Sequence, residues 1–111
     1  MNFLVYVKVR PLPADWSAER QADIRQREVD AVVELINQGV LRTPLMRIPG
    51  RYANYGVWRA DDAEHLDRIL RALPLHAFLD LEITPLMAHP SEQAYKDKYG
   101  EFPVRRGLND P

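Results

Sequence analysis

Arg25 and Glu28 are charged residues on the apolar side of a long predicted helix. Helix-forming residues run from about Ser17 to Gln38 and end at Gly39. At roughly 100° per residue, Arg25 projects near the middle of the apolar sector and Glu28 lies at its border. That sector comprises Ala22, Val29, Val32, Val33 and Ile36, with Ile24, Ala31 and Leu35 widening it on one side. Two interpretations are open: a structural ion pair at the rim of the core, or a partly desolvated carboxylate tuned as a proton-transferring base.

A second group of polar side chains surrounds the predicted turn at Pro49-Gly50. Arg47 has a planar guanidinium that can donate two parallel hydrogen bonds to a carboxylate. Tyr52 has a phenol and Asn54 has an amide. Together they suit a small anionic substrate rich in oxygen. The alternative is that Tyr52 is a core or interface aromatic and Arg47 a solvated cation. Strand alternation places Tyr52 and Asn54 on one side of the strand, without deciding whether that side faces the helix or a subunit contact.

Among the histidines, His89 is the candidate for a functional role. It lies where the last predicted strand ends and is followed by Pro90, a position from which a side chain can leave the sheet to meet a ligand. His65 and His76 are interpreted as a solvated helix residue and a loop residue. The sequence shows no glycine-rich phosphate loop, metal motif or nucleophile elbow, so we expect neither a metal site nor a cofactor.

The elements that must position these residues follow from hydrophobic periodicity. Alternating apolar residues predict a first strand, and after the long helix come an irregular strand limited by Pro44 to an edge or a bulge, a third strand, a second helix and a fourth strand. The order strand, helix, strand, strand, helix, strand predicts an α+β, ferredoxin-like split βαβ fold, with both helices on one face of an antiparallel sheet. A second subunit is the simplest cover for the other face.

Length and composition limit the class of protein. The 111 residues, 46% hydrophobic, predict one domain, and the net charge of -1 gives no reason to expect nucleic acid as a partner. There is no cysteine, which excludes disulfides and thiolate catalysis. The N-terminal apolar stretch is only as long as a strand, so we expect neither a signal peptide nor a membrane span, and a cytoplasmic location is the default.

The hairpin is also where the chain resembles a known family. The segment from Arg47 to Tyr55 is similar to the Arg-Ile-x-Gly-x-Tyr-Ala-Asn-Tyr segment of muconolactone delta-isomerases, small cofactor-free enzymes of the catechol branch of the β-ketoadipate pathway. The resemblance covers about residues 1–92 and leaves 93–111 as a C-terminal tail, either an arm on a neighbouring subunit or a loosely ordered end. Further matches in register are Phe3, Glu28, Gly39, Leu73-Pro74-Leu75 and His89-Pro90.

The resemblance implies a fold of the dimeric α/β barrel type, a homo-oligomer that is a dimer and in the isomerases a decamer built from dimers, and a small lactone as substrate. It implies that a proton moves from the ring carbon that bears the ester oxygen to a neighbouring position, so that the double bond migrates and muconolactone becomes the enol-lactone without a cofactor. Glu28 is then the expected base and His89 a second proton-transferring or orienting group. The expected substrate-binding residues are Arg25, Arg47, Tyr52 and Asn54.

Two positions depart from the family pattern. Tyr6 stands where an isomerase of this family has lysine, and Met46 stands where it has tryptophan. A different lactone, or a related isomerisation or cyclisation in a biosynthetic pathway, is therefore an alternative. Two further interpretations are a non-catalytic module for ligand binding or assembly, and a cofactor-free oxygenase of the dimeric α/β barrel type.

Overall fold

The computed structural model describes residues 1–103 and has a four-stranded sheet at its centre. The strands lie in the order β2-β3-β1-β4, and every neighbouring pair is antiparallel. Helices α1 and α2 follow β1 and β3, so the predicted ferredoxin-like order is confirmed. The elements are β1 (Asn2–Val9), α1 (Ala18–Asn37), β2 (Met46–Arg47), β3 (Ala53–Arg59), α2 (Ala63–Arg71), the 3₁₀ turn His76–Phe78, β4 (Leu79–Leu86) and α3 (Pro90–Tyr99).

The strand register decides which side chains face the helices. Val5 pairs with Gly56, and Val7 with Asn54, and residues directly opposite one another project from the same face. Val5 and Val7 are buried in the core together with residues of α2, so this is the helix face. Asn54 therefore faces the helices, whereas Tyr52 precedes β3 and is largely exposed to solvent.

Helix α1 begins and ends as its sequence predicts. The side chain of Ser17 caps it by accepting a hydrogen bond of 3.0 Å from the backbone N–H of Arg20. Gly39 follows the last turn with a φ of 75°, a left-handed conformation that glycine adopts without steric cost.

The predicted buried face of α1 is partly wrong. Val29, Val33 and Ile36 are 53%, 57% and 44% exposed in the single chain. The packed stripe instead combines Val32 of the predicted sector with the residues that are expected only to widen it, and Glu28 lies inside that stripe rather than at its border. Its apolar members are Ile24, Ala31, Val32 and Leu35.

The connection between α1 and β3 is the irregular edge strand expected around Pro44. Leu41 forms an isolated bridge to Trp58, and the pairing resumes only at β2. The hairpin then turns through Pro49 and Gly50, with a hydrogen bond of 3.2 Å from the N–H of Arg51 to the carbonyl of Ile48. Gly50 has a φ of 77°, which is typical of the third residue of a type II turn.

Helix α2 closes the core over β1 and β3. Asp62 caps it by accepting a bond of 2.7 Å from the N–H of His65, and Leu66 and Leu70 are fully buried against Phe3 and Trp58. None of the helices in residues 1–103 is long and apolar enough to cross a membrane. The tail after residue 92 begins inside α3, and residues 104–111 lie outside the described part of the chain.

Candidate active site

Glu28 is a half-buried carboxylate held by the backbone of a distant loop. Its Oε1 accepts a hydrogen bond of 3.1 Å from the N–H of Leu75, which lies between α2 and β4. Burial raises the pKa of the Glu28 carboxyl above its ordinary value, and the bond from Leu75 opposes part of this rise. Within residues 1–103 no ion pair links Glu28 with Arg25, so the structural ion pair considered from the sequence is not formed.

The carboxylate of Glu28 borders a small cavity between α1 and the sheet, which we call the Glu28 cavity. It has a volume of about 210 Å³, and Glu28 is its one titratable lining residue among those described. Apart from Asn54 and the Trp58 indole, its other lining side chains are aliphatic. They are Val7, Val9, Val29, Val32, Val33, Leu45, Leu73, Leu75 and Leu79. An isolated carboxylate in an apolar cavity is a suitable environment for a general base.

Two more polar side chains on β3 line this cavity. The Oδ1 atom of Asn54 and the Nε1 atom of Trp58 are buried and have no hydrogen-bond partner among the described residues. Leaving a buried polar atom unpaired costs about 1–3 kcal/mol, and a polar partner brought to these two atoms would remove that cost. Trp58 was not a site candidate in the sequence, although alternation along β3 already places it on the same face as Asn54.

Arg25 and Tyr52 line a second, larger cavity of about 710 Å³ at the end of the sheet, which we call the cationic cavity. Both side chains are exposed to solvent, Tyr52 by 82%. The two cavities are adjacent because Val9 and Leu75 line both of them. The structure thus brings Arg25 and Tyr52 next to the Glu28 cavity but not into it.

Arg47 lies on the edge strand beside Asn54. The two residues are register partners, so their side chains leave the sheet from the same face. Arg47 is exposed and lines neither cavity.

His89 is not brought to the other candidates within one chain. It caps α3, where its Nδ1 accepts a hydrogen bond of 3.0 Å from the N–H of Ser91. It follows the end of β4 that pairs with Asn2, whereas the Glu28 cavity lies at the Val9 end of β1. At about 3.3 Å per residue these two ends of the strand are roughly 20 Å apart.

The titratable side chains do not form a metal site in the described residues. No group of three or more His, Cys, Asp and Glu side chains within 1–103 could hold a metal ion.

Comparison with known proteins identifies the family. A family model described as muconolactone delta-isomerase matches residues 1–92. The chain belongs to the muconolactone delta-isomerase family. It is 40% identical over 80 residues to muconolactone delta-isomerase 2 of Acinetobacter lwoffii, covering 72% of this chain and 82% of that protein. It is 35% identical over 91 residues to the muconolactone delta-isomerase of Cupriavidus pinatubonensis, covering 82% and 97% of the two chains.

A solved structure supports the same assignment. The fold matches a crystal structure of muconolactone isomerase with a TM-score of 0.73 and 35% identity, over 82% of this chain and 93% of that one. This match confirms the predicted α+β fold of the dimeric α/β barrel type. Membership of the muconolactone delta-isomerase family also confirms the prediction that the chain is an intramolecular isomerase.

Proposed function

We propose that the chain shifts a proton and a double bond in an unsaturated lactone carboxylate, converting muconolactone or a close relative to the enol-lactone, with Glu28 as the base. The observation that carries this proposal is the position of Glu28 as the one titratable side chain among the described residues of an otherwise largely apolar cavity. Burial raises its pKa toward neutral pH, which makes the ionised carboxylate a stronger base.

The hydrogen bonding of Glu28 suits repeated proton transfer. Oε1 is held by the N–H of Leu75, which fixes the carboxylate and leaves Oε2 without a partner among residues 1–103. In the proposed reaction Oε2 removes the proton from the ring carbon that bears the ester oxygen. The electron pair spreads onto the lactone carbonyl as a dienolate, and the same proton returns to another ring carbon. The double bond has then moved, no atom is gained or lost, and Glu28 is ionised again.

The dienolate needs a hydrogen-bond donor near the oxygen on which charge develops. Asn54 faces the same cavity as Glu28, and the N–H groups of its Nδ2 are donors of the kind that this oxygen requires. We assign Asn54 to this oxygen. Removing one donor of this kind from an enzyme typically lowers kcat by about 10²–10³.

The substrate carboxylate is assigned to the cations and the phenol that surround the site. Arg25 and Tyr52 line the adjacent cationic cavity, and Arg47 leaves the sheet beside Asn54. Arginine binds carboxylates through two parallel hydrogen bonds, so each guanidinium could hold the acetate side chain while the lactone ring lies at Glu28.

Assembly into a homo-oligomer, at least a dimer, is also part of the proposal. Val29, Val33 and Ile36 form an exposed apolar stripe on α1. On the sheet face turned away from the helices, the rings of Tyr6 and Tyr55 contact each other in a tilted arrangement with their centroids 5.1 Å apart. Such surfaces are typical of subunit contacts. His89 would act on substrate only if a neighbouring subunit presents it, and its proposed catalytic role depends on such an assembly. A cytoplasmic location remains a prediction from the sequence.

The test is an ultraviolet assay with muconolactone and two matched variants. Glu28→Gln keeps the size of the side chain and an oxygen for the N–H of Leu75, and should lower kcat by about 10²–10⁴, the usual contribution of a general base. Glu34→Gln is the control, because Glu34 is exposed on the same helix. Full activity in Glu28→Gln would remove Glu28 as base. A wild-type protein that binds lactones without converting any of them would favour a binding module instead.

A further inference from the structure

The cationic cavity lies where β1 ends, β3 begins and α1 passes over the sheet. Its walls come from the end of β1 and the following loop, from the start of β3, from the N-terminal half of α1 and from Leu75. The cations that line it are Lys8, Arg10, Arg25 and Arg51, and no aspartate or glutamate is among its lining residues.

One of these cations, Arg10, forms an ion pair within the described residues. The Nε of Arg10 lies 3.3 Å from Asp80, and the same guanidinium donates to the carbonyl of Ala77. Lys8, Arg25 and Arg51 have no carboxylate within 4.0 Å among residues 1–103. Lys8 lies opposite Asp80 in the register of β1 and β4, so Asp80 offsets part of its charge as well. The excess of cations around one concave surface still raises the local concentration of anions.

These charges stand on two opposite walls. Arg25 belongs to α1, whereas Lys8 pairs in register with Ala53, two residues beyond Arg51. Arg25 is already assigned to the carboxylate of the substrate. Lys8 and Arg51 are thus a separate pair of donors on the strand side of the cavity.

The size of the cavity agrees with a longer ligand. Sites for drug-sized ligands have volumes of about 300–1,000 Å³. The Glu28 cavity, at about 210 Å³, is below this range, and the cationic cavity, at about 710 Å³, is well inside it. Since Leu75 and Val9 line both cavities, the larger space adjoins the place of a ring at Glu28.

We propose that the cationic cavity is a subsite for a second carboxylate, so that the substrate is a lactone dianion with a substituent longer than acetate, and that Lys8 and Arg51 determine this specificity. The inference rests on the proposed function, because it takes the lactone ring to lie at Glu28. Lys8 and Arg51 bind the distal carboxylate and take no part in the proton transfer.

The test measures binding by calorimetry and needs no turnover. The probes are adipate, pimelate and suberate, each compared with its own monomethyl ester, which has nearly the same length but one charge. At low salt we expect at least one diacid to bind about tenfold more tightly than its ester. The reason is that the second carboxylate, which the ester lacks, gains a charge-assisted hydrogen bond from a cation of the cavity. Arg51→Gln and Lys8→Gln should each reduce this preference, and the double variant should abolish it. Arg68→Gln, which alters an exposed cation of α2 outside both cavities, should leave it unchanged.

The outcomes separate this inference from the proposed function. No binding of any diacid, equal binding of diacid and ester, or a preference that survives the double variant would overturn the second-carboxylate subsite, whatever the isomerase assay shows. A preference that depends on Lys8 and Arg51, in a protein that isomerises no lactone, would keep the subsite and remove the proposed reaction. Circular dichroism of each variant excludes misfolding as the cause of lost binding.

Discussion

The backbone N–H of Leu75 donates a hydrogen bond of 3.1 Å to Oε1 of Glu28, although 47 positions separate the two residues in the chain. This bond ties α1 to the connection between α2 and β4. Leu75 also lines both cavities, so the residue that orients the carboxylate stands at the boundary between them. A base held in this way has one oxygen fixed and the other available for a proton, which favours a single productive geometry.

The pH dependence of activity should follow the ionisation of Glu28. Burial raises the pKa of this carboxyl above its ordinary value of 4.5. Since only the carboxylate can accept the proton, kcat/KM should rise with pH through a midpoint above 4.5 and then level off. Initial rates between pH 4 and pH 8 measure this midpoint. A midpoint at or below the ordinary value would contradict a desolvated base.

The same shift predicts that Glu28 destabilises the folded chain at neutral pH. A carboxyl whose pKa is higher in the folded state favours folding when protonated, and this contribution is lost as the pH rises through the folded-state pKa. Glu28→Gln should therefore have a higher melting temperature than the wild type at pH 7.5, and the difference should shrink toward pH 4. Thermal unfolding at both pH values checks this, with Glu34→Gln expected to show no such change. A Glu28→Gln variant that melts lower at pH 7.5 would show that the desolvation of Glu28 is compensated in the folded state.

Asn54→Leu should separate stability from catalysis. The Oδ1 of Asn54 is buried without a partner among the described residues. Replacing the amide by an apolar group of similar size removes this unpaired acceptor, so the free energy of unfolding should be unchanged or raised. If Asn54 stabilises the dienolate, kcat should fall by about 10²–10³ with a smaller change in KM. Urea unfolding and steady-state kinetics on the same preparation test both parts. A fall in stability with full activity would assign Asn54 to the fold alone.

Much of the fold could be predicted from the sequence, because period-two alternation and helix caps are local signals. Ser17, Gly39 and Pro49-Gly50 have the roles that their residue types favour. The packed face of α1 was less predictable. Val29 and Val33 are as apolar as Val32, and the sequence of one chain does not show which adjoining apolar sector meets the sheet and which is left for another contact.

The site was predictable in part for a related reason. The sequence indicates Glu28 as a charge on an apolar helix face, and Asn54 as an amide on a strand near a turn. Their common cavity depends on the register of β3 against β1, which sets long-range contacts that no local pattern encodes. The bond from Leu75 to Glu28 is of the same kind, because it joins two segments that only the folded chain brings together.

Gly56 should be required for the close packing of Leu45 under the edge of the sheet. A Cβ at this position would lie 2.8 Å from Cδ2 of Leu45, 3.1 Å from Cδ1 of Leu41 and 3.3 Å from Nε1 of Trp58. The ends of these side chains can shift only partly, since Leu41 is 2% exposed and Trp58 1% exposed. We expect Gly56→Ala to cost about 1–3 kcal/mol, as overpacking of a core commonly does, and to narrow the Glu28 cavity that Leu45 lines.

A double-mutant cycle tests this account of Gly56 directly. Leu45→Ala removes the nearest atom, so the added methyl group of Gly56→Ala should be accommodated in the space that it vacates. The double variant should then be more stable than the sum of the two single losses predicts, with a coupling of about 0.5–3 kcal/mol measured by urea unfolding. Leu4→Ala replaces Leu45→Ala in the control cycle, because Leu4 projects from the opposite face of the sheet, and its effect should add to that of Gly56→Ala. Simple additivity in the Leu45 cycle would mean that the cost of Gly56→Ala does not arise from Leu45.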